Sequence, residues 1–132
     1  MNNEWTWTGG SEFESWEEFR DGYYYPRIVG RPWNGKNYEK PRRGDQSVEQ
    51  KINDTWREKM GYDAPWTDCN ILYDRLKPIA LMETKYIDEG MPSAQRSVLE
   101  YTARKLDIPL VVLRFDSVEG PIEVRRFDRE RK

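Results

Sequence analysis

Asp68, Glu83 and Lys85 are the side chains whose types and spacing best suit chemistry, set within D-C-N-I-L-Y-D-R-L-K-P-I-A-L-M-E-T-K. Residues 69–73 and 79–85 read as two β-rich apolar strands, a hairpin whose loop is about four residues long. With 74–77 as that loop, Tyr73 faces Pro78, Asn70 faces Leu81 and Asp68 faces Glu83. Side chains opposite one another across a ladder have Cβ atoms about 4.5–5.5 Å apart, so the two acids become neighbours. Strand periodicity of two puts Lys85 on the same face as Glu83. Paired carboxylates repel unless a cation lies between them or one is protonated. Adjacent carboxylate oxygens suit Mg²⁺ or Mn²⁺, and a lysine beside them can orient or deprotonate a water and offset charge on phosphate oxygens. That is the outline of metal-assisted phosphodiester hydrolysis. An acid-x-Lys pair by itself is common on exposed strands, but Glu83 here continues a stripe with Ile79 and Leu81 that reads as buried. Asp74 and Asp88 are accounted for as turn residues.

Composition narrows the alternatives. The chain has no histidine, which excludes Ser-His-Asp and Cys-His nucleophiles and imidazole-based zinc sites. A single cysteine, Cys69, excludes an internal disulfide and a cysteine metal cluster. At 132 residues one domain is expected, and a 14% aromatic content with six Trp points to a core built on rings. No apolar run approaches the roughly 20 residues of a membrane span, and M-N-N-E-W lacks a signal-peptide layout, so a soluble cytoplasmic protein with no membrane partner is expected.

Charge is uneven. Residues 1–22 carry six acids against Arg20, a local −5, whereas residues 27–43 carry six bases against Glu39, a local +5. Residues 1–44 read as an aromatic-rich N-terminal segment packed on or beside the core, with one short helix over 11–20 capped by Ser11. Residues 45–132 read as the α/β domain proper. There, 45–61 forms a helix with Val48, Ile52, Trp56 and Met60 on one face and Gly61 as its stop. The hairpin follows, then a second helix with Val98, Leu99, Thr102, Ala103 and Leu106 as its apolar face. I-P-L-V-V-L-R-F-D is a buried strand and P-I-E-V-R-R-F an edge strand. A strand, a helix and an apolar strand in succession form a parallel βαβ unit, so the sheet is mixed: an antiparallel hairpin joined to a parallel strand.

The order W-T-D-C-N-I-L-Y-D, K-P-I-A-L-M-E-T-K, then S-A-Q-R-S-V-L-E-Y-T-A-R-K-L-D-I-P-L-V-V-L-R resembles the PD-(D/E)XK nuclease superfamily over residues 47 to 116. The likeness is to its small phage-type and VRR-NUC-like members and to the archaeal Holliday-junction resolvases. It implies a restriction-endonuclease-like core and a Mg²⁺- or Mn²⁺-dependent nuclease that processes phage or mobile-element DNA. Asp68 and Glu83 would be metal ligands, Lys85 the catalytic lysine, Gln95 a supporting active-site residue, and Glu49 an additional ligand from the first helix. Junction-cutting relatives need two active sites, which allows a homodimer. Thr67 stands where the eponymous Pro would be. Only residues 61–67 separate the first helix from the Asp strand, so the extra strand of many members is either missing or supplied by residues 24–29.

DNA is the expected partner. Trp5, Trp7, Trp16, Tyr23, Tyr24, Tyr25, Trp33 and Tyr38 could stack on bases or serve the core, and the core is the favoured account for residues 5–19. In G-R-P-W-N-G-K-N-Y-E-K-P-R-R, basic and aromatic residues interleave in a Gly/Pro loop. Arg31, Trp33, Lys36, Lys40, Arg42 and Arg43 are therefore the expected nucleic-acid contacts, lying beside the cleft. The basic C-terminal residues read as a solvated terminus. The competing class is a non-catalytic binding protein that keeps the nuclease fold, such as a phage factor acting on a host complex.

Overall fold

A computed structural model describes residues 4–36, 55–56, 58–60, 71–86, 89–116 and 120–129. Its centre is a five-stranded sheet in which β1 (Trp5–Phe13), β2 (Ile71–Asp74), β3 (Lys77–Tyr86), β4 (Leu110–Phe115) and β5 (Ile122–Arg129) are ordered β1-β5-β4-β3-β2. Among the described strands, β3 and β4 run parallel and the other three pairings are antiparallel. The helix α2 (Ser93–Leu106) connects the parallel pair. This is the mixed α/β sheet that the element order predicts. The almost wholly apolar strand, β4, is the central strand of the five, flanked by β5 and β3, which explains why five of its six residues are buried.

The N-terminal segment departs most from expectation. W-T-W-T-G-G-S-E-F alternates with period two and pairs along β5, so a strand occupies residues assigned to the short helix, and β5 is not an edge. Between Thr8 and Ser11 the register shifts, and Gly9 and Gly10 together oppose a single residue of β5. A Cβ on Gly10 would lie 3.1 Å from the Glu123 side chain, so a larger residue there requires that side chain to shift. The helix begins later, at α1 (Trp16–Phe19), where Ser15 rather than Ser11 is the cap: its Oγ accepts from the Glu18 amide at 3.1 Å. Glu18 in turn accepts from the Glu14 amide, which completes a variant of the capping box. The chain continues as a π-helix, Arg20–Val29, closed by Gly30 in the left-handed region at φ 82°. Residues 24–29 thus form helix and do not supply the additional strand.

Each sheet face carries its own apolar cluster. On one, Leu72, Ala80, Met82, Val111 and Leu113 pack beneath Trp16, Phe19, Tyr24, Tyr25, Trp56 and Met60. Trp56 lies edge-on to both Trp16 and Tyr24, with centroids 5.9 and 5.1 Å away, and the Tyr25 hydroxyl donates to the Met60 carbonyl at 2.6 Å. The ring-built core expected from composition is this layer. On the other face Leu81, Leu110, Val112 and Phe127 meet Ala103 of α2. That helix shows less of its expected apolar face to the sheet: Ala103 is buried, but Val98 is 63% and Leu106 40% exposed.

Candidate active site

The hairpin register decides which side chains converge. Arg75 and Leu76 both have positive φ, 53° and 69°, and make a two-residue turn of the kind that matches strand twist, in place of the four-residue loop expected. Tyr73 does face Pro78, but the pairing then slips so that Leu72 faces Ala80 and Ile71 faces Leu81. The bulge absorbs Ile79. Leu81 was expected opposite Asn70, so the count that set Asp68 across from Glu83 no longer holds. Asp68 itself, like Glu49, Lys40, Arg42 and Arg43, lies outside the described residues.

Glu83, Lys85 and Gln95 do come together. Register places Leu81, Glu83 and Lys85 beside Leu110, Val112 and Arg114 on the sheet face covered by α2. That face is divided: apolar beneath the helix body, charged at the carboxyl ends of the two parallel strands, where the first turns of α2 stand. In open α/β sheets ligands bind preferentially at such strand ends. The Lys85 side chain, only 10% exposed, donates from Nζ to Gln95 Oε1 at 3.0 Å and stands 3.9 Å from Glu83 and 3.6 Å from Glu89. The Glu83 side chain is 15% exposed. A buried ammonium is tolerated only when such partners replace water.

Two further members were not singled out beforehand. Glu89 reaches Lys85 from the connection after β3 and accepts from the Tyr86 amide at 3.2 Å. Arg114, the register partner of Lys85, donates to the backbone carbonyls of Glu89 and Tyr86 and lies 4.0 Å from Glu123. The signal for Arg114 was present, since it is the only charge in L-V-V-L-R-F.

The described part of the basic loop behaves differently. Arg31 pairs with Asp74 of the hairpin, and Trp33 packs against the ring-built core with the Arg20 guanidinium 3.5 Å above its ring. That core lies on the opposite sheet face from Lys85, so Trp33 is not beside the charged cluster. Lys36 is exposed. Of the aromatic residues weighed for base stacking, Trp16, Tyr23, Tyr24 and Tyr25 are buried in that same core.

A metal would find one carboxylate here, Glu83, with Glu89 nearby across Lys85. Among the described residues no group of three or more His, Cys, Asp or Glu is arranged to hold a metal ion, and Asp68 and Glu49 fall outside that set. No described helix is long and apolar enough to cross a membrane. No family model, curated protein or solved structure matches the chain.

Proposed function

We propose that the chain is a metal-dependent nuclease of the PD-(D/E)XK kind, with a restriction-endonuclease-like core, hydrolysing phosphodiester bonds in DNA. The observation that carries this reading is the nearly buried Lys85, with Glu83 two residues before it and its amine held by Gln95 at the carboxyl end of a parallel strand. A lysine so placed can hold a proton beside an attacking water or lend positive charge to phosphate oxygens, and Gln95 positions its amine for either task. Glu83, with Asp68 and Glu49, would hold Mg²⁺ or Mn²⁺, which when bound acts as a Lewis acid on the phosphate. Supercoiled, single-stranded and branched DNA incubated with Mg²⁺ or Mn²⁺ tests the reading beside Glu83→Gln and Lys85→Met. Cutting that both substitutions abolish is the expected result; cutting that survives both, or no cutting of any substrate, overturns it.

A second reading is favoured by one feature: the Lys85 ammonium is already met by two carboxylates and an amide oxygen. The same cluster would then serve as an internal ion network in a non-catalytic protein of this fold, acting through a binding surface.

A further inference from the structure

Beside the charged cluster, one strand further into the sheet, lies a cleft of about 430 Å³, closed on one side by β1 and on the other by the start of α2. Three arginines from three elements line it: Arg96 of α2, Arg114 of β4 and Arg125 of β5. Trp7, Met91 and Val112 give it an apolar wall, and Thr8 and Gly10 of β1 complete the lining. The volume lies in the range of about 300–1,000 Å³ typical of small-ligand pockets, and an apolar wall facing a few convergent polar groups is their usual pattern. Val112 and Arg114 are the register partners of Glu83 and Lys85, so the cleft and the charged cluster share one surface.

We infer that this cleft seats one unpaired nucleotide of a DNA strand, its phosphate on Arg96, Arg114 and Arg125 and its base against the Trp7 wall. Guanidinium groups are planar forks that match phosphate oxygens, and three of them converging outweigh the acids present. Those acids are Glu123, which accepts from Arg125 at 3.0 Å and lies 4.0 Å from Arg114, and Glu100, 3.5 Å from Arg96. The same Glu123 oxygen faces both Arg114 and Arg125, on the side where β1 passes close at Gly10. Arg96 also lies 5.0 Å from the Trp7 ring, and Trp7 Nε1 donates to Glu100, which holds the arginine and the indole together as one wall. Arg96 and Arg125 are 52% and 54% exposed and can turn toward a ligand, whereas Arg114 is fixed by backbone carbonyls. A base-paired helix, whose major groove alone is about 12 Å wide, does not fit a cleft of this size. A flipped-out or single-stranded nucleotide does.

This rests on the nuclease reading only for naming DNA as the source of the nucleotide, and the test separates the two by working in EDTA, where no cleavage occurs. Full-length protein is titrated with a fluorescent single-stranded tetranucleotide, a duplex carrying an unpaired tail and a blunt duplex, with dTMP and inorganic phosphate as competitors. The tetranucleotide and tailed duplex bind at least tenfold more tightly than the blunt duplex, and dTMP competes better than phosphate. Arg96→Ala and Arg125→Ala, both at exposed positions, each weaken binding by about tenfold, the effect of losing a charge-assisted hydrogen bond. Glu123→Gln tightens it. Near-ultraviolet circular dichroism checks that each variant is folded. Equal binding of blunt and tailed duplexes, binding unchanged in both arginine variants, or phosphate competing as well as dTMP overturns the inference whatever the cleavage assays show.

Discussion

Lys85 on β3 and Gln95 on α2 meet at 3.0 Å, tying the first turns of the crossover helix to the polar end of the parallel strand pair. The bond gives a way to tell a catalytic lysine from a structural one. Lys85→Met keeps the length and apolar stem of the side chain while removing its charge. Removing the cation alone takes the ammonium away from the nearly buried Glu83 carboxylate, and breaking a buried pair from one side costs up to about 3–5 kcal/mol. The expected outcome is a protein that melts below the wild type, keeps its fold at the assay temperature by circular dichroism, and does not cut DNA. A variant that cuts normally removes Lys85 from the mechanism.

Gln95→Ala removes the acceptor and leaves Lys85 to Glu83 and Glu89. A hydrogen bond to a charged group is worth about 1.5–3 kcal/mol, and a loss of stability at the lower end of that range is expected in urea titrations because the two carboxylates compensate. As a positioning residue, Gln95 shows itself in the kinetics: kcat falls while KM stays near the wild-type value and Gln95→Glu, which keeps an acceptor oxygen for the Lys85 amine, restores part of the loss, whereas a purely structural residue lowers stability and leaves kcat in place.

Glu83→Gln addresses the metal. Loss of Mn²⁺ binding by electron paramagnetic resonance is expected, with the fold retained, because Lys85 keeps Glu89 at 3.6 Å and Gln95 at 3.0 Å. Asp68→Asn, measured alongside, determines whether Asp68 acts with Glu83, a pairing for which the register of β2 and β3 gives no support. Undiminished Mn²⁺ binding in Glu83→Gln excludes it as a ligand.

The legible parts of the fold were those with a strong period or a strong exclusion. L-V-V-L-R-F is apolar on both sides and became β4, with sheet on each flank and a cluster on each face; the capless stretch S-A-Q-R-S-V-L-E-Y-T-A-R-K-L became α2. Glu83, Lys85 and Gln95 meet because strand periodicity and a helix start are local properties. The hairpin register was misjudged because Arg75 and Leu76 are not turn formers, yet both take positive φ. A tight turn hidden behind ordinary residues, followed by a bulge at Ile79, shifts every count made through it. The N-terminal strand was missed for a different reason: its pairing partner, β5, lies more than 100 residues away, and only tertiary pairing selects strand over helix in S-E-F.

The same turn yields a stability prediction. Non-glycine residues in the left-handed region cost roughly 1–2 kcal/mol each, and Leu76 is 96% exposed. Replacing Arg75 and Leu76 by Asn and Gly, the pair that such turns favour, is expected to stabilise the protein by about 1–2 kcal/mol in chemical denaturation. An unchanged or lower midpoint would mean that the hairpin does not turn at these two residues.

Protonation of Glu17 offers a test of how the N-terminal helical layer is fastened. Lys59 stands 2.9 Å from Glu17, and its hydrogen bond is the main cause holding this carboxyl below its ordinary range. A carboxyl depressed in the folded state contributes stability above its unfolded value of about 4.3, and that contribution disappears as pH falls through the folded value. Glu17 is 46% exposed, so solvent screening keeps the contribution small. Urea midpoints of wild type and Glu17→Gln should differ slightly at pH 7, with the wild type higher, and coincide at pH 3. Lys59 follows the helical turn that carries Trp56, so the pair joins α1 to the same turn that its rings cover. A gap between the two midpoints that stays constant from pH 7 to pH 3 would show that the ion pair contributes nothing to that joint.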